Sequence, residues 1–341
     1  MEKHRKNKES DILIGISLGD INGIGPEVTI KALSDTRISK LFTPVIYGSG
    51  KILAYYKKAI ENTEFQFFQA KSIQQISPRK INLINCWEDH VDVNPGQSTA
   101  EGGKRALQSL EAACADLASG SIDALVTAPI NKHNIQSDEF KFPGHTEYLA
   151  EKFGKGDSLM FLVSEGLRIG VATGHIPIQK ISENLNQGLI EKKLGLMIES
   201  LKGDFGIKKP RLAVLGLNPH AGEDGLLGSE EQDIIIPAIE SLKKKGELVF
   251  GPFPADGFFG TTAFKKFDGI LAMYHDQGLI PFKHMAFDSG VNFTAGLPIV
   301  RTSPDHGTAY DIAGKGLASE ESFRAALFLA ADIAKNRAVW E

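Results

Sequence analysis

Apolar residues along the chain gather into short dense runs: Ile12 to Leu18, Val45 to Tyr47, Ile81 to Ile84, Ile122 to Val126, Leu159 to Val163, Leu167 to Ala172, Leu212 to Leu217, Gly269 to Met273 and Pro298 to Val300. Runs this short, rich in Val and Ile and bounded by turn residues, predict buried strands. Between them the apolar spacing changes to three and four, as in Ala106, Leu110, Ala113 and Leu117, or Phe323, Leu327, Ala330 and Ala334 near the end. That spacing predicts helices with one buried face. Ser229 with Gln232 reads as a capping box for a helix through Ile234 to Leu242, and Ser319 followed by Glu320 and Glu321 reads as the start of the last helix. Alternating strands and helices predict an α/β protein, with mostly parallel sheets flanked by helices on both faces.

The chain has 341 residues, and at roughly 150 residues per domain this favours two lobes over one. We expect a first α/β lobe from residues 1–135 plus 303–341 and a second from 136–302, with a central cleft. Glycines and prolines are scattered between the apolar runs, as short strand–helix turns require, and mark no sharp linker. The formal net charge of −4 argues against a nucleic-acid coat or a polybasic membrane binder, so any anion site must be local. The start, MEKHRKNKES, lacks the apolar stretch of a signal peptide, and no apolar run approaches the ~20 residues of a membrane span. Cys86 and Cys114 are too few for a disulfide scaffold. Cys114 falls on the apolar face of its helix and reads as a small core residue. A cytoplasmic protein is expected.

Three histidines share one context. His175 in ATGHIP, His220 in GLNPHAGEDG and His275 in YHDQG each follow a predicted strand within a few residues. Ligands of open α/β sheets bind outside the carboxyl ends of the strands, so three imidazoles delivered there can converge on a divalent metal, leaving a position open for water or substrate. Singly, each reads better as an ordinary hydrogen-bonded loop histidine, and only the repeated context brings the metal reading level with that one. Asp276 and Asp256 lie in neighbouring turns and are candidates to orient a ligand histidine or to act as a base. In PGHTE, His145 and Thr146 stand at the mouth of a short helix, where free N–H groups and a hydroxyl favour an anion, although Thr146 also reads as a helix cap. Lys283, Asn292 and Arg301 recur at nine-residue intervals, and two cations with an amide suit a phosphate or carboxylate. GDINGIGPEV and GSGKIL place glycines between strand and helix, but neither has the spacing of a dinucleotide fingerprint or a phosphate-binding P-loop.

Taken together, GDINGIGPEV, TAPINK, PGHTE, ATGHIP, GLNPHAGEDG, PADGFF, YHDQGLIPFK and NFTAGLPIVRTSPDHGTAYDIAGKG resemble, in order and over essentially the whole chain, the 4-hydroxythreonine-4-phosphate dehydrogenase family of pyridoxal phosphate biosynthesis. Gly174 departs from the threonine that often precedes the family's metal histidine. The resemblance implies an isocitrate/isopropylmalate-dehydrogenase-like fold and a homodimer with active sites at the subunit interface. It also implies NAD, with NADP as the variant, bound without the usual fingerprint. It puts His175, His220 and His275 on the metal positions, with Zn²⁺ ahead of Mg²⁺ or Co²⁺. It puts His145, Thr146, Lys283, Asn292 and Arg301 on the phosphorylated substrate. The implied reaction oxidises the secondary alcohol of 4-phosphooxy-L-threonine to a β-keto acid, which loses CO₂ to give 3-amino-2-oxopropyl phosphate and NADH. Competing readings are a sister dehydrogenase of 4-phospho-D-threonate or 4-phospho-D-erythronate, a metal-dependent hydrolase, and a non-catalytic phosphometabolite binder.

Overall fold

The computed structural model describes residues 12–35, 37–61, 63–154 and 157–340, so the polar opening MEKHRKNKES lies outside the described residues. The strands are β1 (Leu13–Ser17), β2 (Thr43–Gly48), β3 (Phe68–Ala70), β4 (Asn82–Asn85), β5 (Ala124–Thr127), β6 (Leu159–Ser164), β7 (Leu167–Val171), β8 (Arg211–Leu215), β9 (Leu248–Phe253), β10 (Gly269–Ala272), β11 (Val291–Ala295) and β12 (Arg301–Pro304). The chain divides into two compact units, Met1–Phe153 with Ile299–Lys335, and Gly154–Pro298 with Asn336–Glu341. Helix His145–Phe153 falls in the first, where its Tyr148 packs on Phe140 and Phe142.

In the first unit the strand order is β3-β4-β2-β1-β5-β12, all parallel. The central strands are buried on both faces, which is why their sequences read as unbroken apolar runs. Helix Ala100–Ala118 covers one face with Ala106, Leu110, Ala113 and Leu117, the residues whose spacing announced it, and Cys114 is buried among them. Thr99 caps it by accepting the Gly102 N–H. Pro26 and Glu27 open helix Gly25–Leu33 as expected. The run Pro298 to Val300 is not itself a strand: β12 begins at Arg301, and Val300 only offers its carbonyl to the Leu125 N–H. In the last helix, Glu321–Trp340, the Ser319 hydroxyl accepts the Glu321 N–H.

The second unit has the order β11-β6-β7-β10-β8-β9 and is mixed. β7, β10, β8 and β9 are parallel neighbours, whereas β6 runs antiparallel to both β7 and β11. The cause is local: only Glu165 and Gly166 separate β6 from β7, and Gly166 sits at φ +72°, so the chain makes a tight hairpin that no parallel pair can use. Strands β3, β9 and β11 carry polar or glycine-interrupted sequences and are missing from the nine apolar runs. The expected capping box at Ser229 also fails. A π-type turn, Glu231–Ile235, precedes helix Ile236–Lys244, and neither end uses a side-chain cap. Glu230 and Glu231 are instead turned toward the loop that carries His220.

Candidate active site

In the first unit the carboxyl ends of β1 and β5 hold a group of polar residues on one face of the sheet. Ser17 and Thr127 are register partners on β1 and β5, and Arg301 of β12 is partnered with Leu125, so the pleat turns all three side chains to the same side. Arg301 is 3% exposed. Its Nε and Nη2 both donate to the Thr127 hydroxyl oxygen, at 3.1 and 2.7 Å. No carboxylate pairs with it among the described residues, and burial pushes its pKa down to about 10, against the weaker pull of the Glu147 carboxylate. A buried guanidinium without a counter-ion is costly unless a ligand supplies one. His145, first residue of helix His145–Phe153, is buried with its Nε2 unpartnered. Burial, then the nearby Arg301 and Lys132 cations, hold its pKa well below the ordinary histidine value, so the ring is neutral at pH 7. Thr146 follows, half-buried, in the same first turn.

In the second unit the three strand-end histidines lie on neighbouring strands, since β7, β10 and β8 are adjacent. His175 follows β7 through Thr173, whose N–H and hydroxyl both donate to the Met273 carbonyl beyond β10. His275 begins helix His275–Ala286, and its ring centroid is 5.4 Å from that of His175. The two line a pocket of about 230 Å³ with Gly174, Ile176, Ile178, Ile181, Tyr274 and Asp276. Asp276 Oδ1 is 2.7 Å from His275 Nδ1, a hydrogen bond that fixes the tautomer and leaves Nε2 as the donor atom for a metal. Gln277 ties this corner to the next strand: its amide oxygen accepts the Met273 N–H and its amide nitrogen donates to the Gly216 carbonyl.

His220 sits beyond β8 in an unusual turn. Residues His220, Ala221, Gly222, Glu223 and Asp224 all have positive φ, from +43 to +81°, a left-handed turn that costs L-residues about 1–2 kcal/mol each. The buried Glu231 carboxylate offsets this by accepting the N–H groups of Leu217 and Asn218 at 2.7 Å each, and the Asn218 amide at 2.9 Å. Glu230 takes the same amide and the Ser182 hydroxyl. His220 is exposed and does not line the pocket shared by His175 and His275. Among the described residues no group of three or more His, Cys, Asp or Glu is assembled to hold a metal. The donor chemistry of the paired imidazoles fits a divalent transition metal, with His220 at the adjacent strand end as the third candidate. Asp256, on helix Ala255–Gly260, is exposed and does not line the pocket either. Lys283 is half-buried on helix His275–Ala286, while Asn292 on β11 has a buried Oδ1 with no partner.

Sequence reasoning assigned no role to Thr127, Gln277 or Glu231. The first two stand inside conspicuous blocks, TAPINK and YHDQG. Glu231 sits in a polar stretch that reads only as a helix start.

Polar side chains at the carboxyl ends of parallel strands, with Arg301 reaching toward them from the start of β12, place the chain among α/β enzymes. Residues 40–330 match the family described as the pyridoxal phosphate biosynthetic protein PdxA. A 4-hydroxythreonine-4-phosphate dehydrogenase of Bacteroides thetaiotaomicron is 52% identical over 97% of this chain and 91% of its own length. A D-threonate 4-phosphate dehydrogenase of Cupriavidus necator is 39% identical, covering 96% and 98% of the two chains. The crystal structure of 4-hydroxythreonine-4-phosphate dehydrogenase from Klebsiella pneumoniae superposes with a TM-score of 0.83 at 37% identity, over 96% of this chain and 99% of that one. The chain belongs to the PdxA family, and it is an enzyme of the dehydrogenase class.

Proposed function

We propose that the protein oxidises 4-phosphooxy-L-threonine with NAD, or with NADP as the variant, and releases CO₂ to yield 3-amino-2-oxopropyl phosphate in the cytoplasmic synthesis of pyridoxal 5'-phosphate. The observation that carries the reading is Arg301, a buried cation that lacks a carboxylate partner among the described residues and lies near the neutral His145, whose Nε2 is unpartnered. In a poorly solvated pocket an Arg–phosphate or Arg–carboxylate contact is strong, because little water competes. His145, held neutral, contributes a hydrogen bond at Nε2 without adding charge. Thr146, in the first turn of the same helix, is proposed as a further contact to the anion, and Lys283 and Asn292 are proposed as anion contacts of the second unit. The substrate's fixed ends would orient the secondary alcohol, for which NAD when bound would supply the hydride acceptor, while a protein base would take the hydroxyl proton. Asp276 and Asp256 are the candidates for that base, and Asp276 also orients His275.

His175, His220 and His275 would hold the divalent cation, Zn²⁺ ahead of Mg²⁺ or Co²⁺. When bound, such a cation supplies Lewis acidity toward the substrate oxygen during oxidation and decarboxylation. We also infer a homodimer. Ile280 and Phe287, 67% and 75% exposed on and just after the helix that begins with His275, are the proposed contacts for that association. Both cysteines are free thiols, in keeping with a reducing compartment.

Formation of NADH from 4-phosphooxy-L-threonine, followed at the nicotinamide absorbance, tests the assignment. The Cupriavidus relative motivates a parallel assay with 4-phospho-D-threonate and 4-phospho-D-erythronate. Turnover confined to those two overturns the substrate, and phosphate release without NADH overturns the reaction.

A further inference from the structure

Of the five N–H donors of a guanidinium, Arg301 spends two, at Nε and Nη2, on a single oxygen of Thr127. Both belong to the side edge of the planar group. The other three meet no acceptor among the described residues, and Arg301 makes no ion pair there either. Thr127 is wholly buried at the last position of β5, and the sheet register puts it one pleat beyond Leu125, the residue opposite Arg301. The Arg301 side chain therefore runs along the sheet toward the strand ends and meets the hydroxyl there. A valine of the same shape would fill the space and leave two buried N–H groups unpaired.

We propose that Thr127 is a positioning residue for the anion pocket: by holding the side edge of the Arg301 guanidinium, it presents the opposite end, Nη1 with the second hydrogen of Nη2, to the substrate anion. The inference rests on the reading of Arg301 as a substrate anchor. Thr127 fixes the plane and azimuth of the fork, so that an anion is taken end-on by two parallel hydrogen bonds rather than at the side edge. A freely rotating guanidinium would have to be ordered at the moment of binding, and the affinity would fall by that amount. The neutral His145 fits the same arrangement, since a second mobile cation beside Arg301 would repel the fork that Thr127 orients.

A double-mutant cycle of Thr127→Val and Arg301→Lys, with Thr127→Ser as the conservative control, reads the coupling directly. Losing a hydrogen bond to a charged group predicts that Thr127→Val raises KM for the phosphorylated substrate about tenfold or more. kcat and KM for NAD should change by less than about threefold, since a group acting on ground-state anchoring moves binding first. Thr127→Ser, which keeps the oxygen, should return KM to within about twofold of the parent, and in the Arg301→Lys background Thr127→Val should add nothing. Should the valine protein fail to fold, Thr127→Ala takes its place in the same cycle. If Arg301→Lys raises KM and the Thr127 variant does not, the positioning role is wrong while the anchor stands. If Arg301→Lys leaves KM unchanged, the anchor itself is wrong. Equal impairment by serine and valine, equal loss of NAD affinity, or additive effects in the cycle would each overturn the proposal.

Discussion

Buried polar side chains set the behaviour of this protein at the scale of single residues. His145 is the clearest case, because burial, then the Arg301 and Lys132 cations, hold it unprotonated in the folded chain. In the unfolded chain it takes up a proton near the usual value of about 6.5. Below that pH the unfolded state binds a proton that the folded state refuses, so the contribution of His145 is complete above it and is lost as pH falls below it. The gap in folding stability between pH 7.5 and pH 5.5, measured by urea unfolding, should narrow in His145→Asn, and an unchanged gap would contradict the assignment. The sequence exposed His145 and Arg301 through their motifs, but it could not show that they are buried. Nothing in the string TAPINK says that Thr127 faces Arg301 across 174 positions.

Among the secondary-structure elements, helix Ala100–Ala118 packs on the central strands β1, β2 and β5 of the first unit. Gly102 and Gly103, poor helix formers, stand in its first turn because other segments lie close against it, the Asp20 and Asn22 side chains at Gly102 and the Asn134 backbone at Gly103. A Cβ on Gly103 would collide with the Asn134 carbonyl and its neighbouring backbone, just beyond the TAPINK segment. Gly103→Ala should therefore destabilise the protein by about 2–3 kcal/mol, the overpacking cost, despite the ~1 kcal/mol helix preference of alanine. A rise in stability on denaturant unfolding would show that the contact is soft. The helix itself was legible from its apolar spacing, whereas the reason for its glycines was not, because close approach is a property of two segments. The hairpin β6–β7 teaches the converse lesson. Its two-residue link, Glu165–Gly166, is a local signal that was present in the sequence and outweighed by the expectation of parallel strands.

Across the whole molecule, chain-distant imidazoles gain a common purpose only if a cation joins them. His175 and His275 already face one another in the described pocket, and Asp276 orients the second. Zn²⁺ at a hundred times its Kd would stabilise the folded state by about 2.7 kcal/mol, a rise of roughly 4 °C in Tm for a chain of this size. That rise should be reversed by EDTA and absent in His275→Ala and His220→Ala, and an equal rise in both variants would discard the histidine assignment. The sequence by itself determined the α/β class, several of the helices and most of the central strands, because apolar periodicity is a local record of which face is buried. Its ordered blocks also determined the family, since each preserves a local backbone and side-chain requirement. Tertiary structure alone decided that β6 also pairs antiparallel with the distant β11, that Glu231 supports the left-handed turn of His220, and that Arg301 is buried against Thr127. Those facts depend on distances between segments far apart in the chain. Such distances follow from packing and hydrogen-bond satisfaction over the folded chain, which no local pattern of residues encodes.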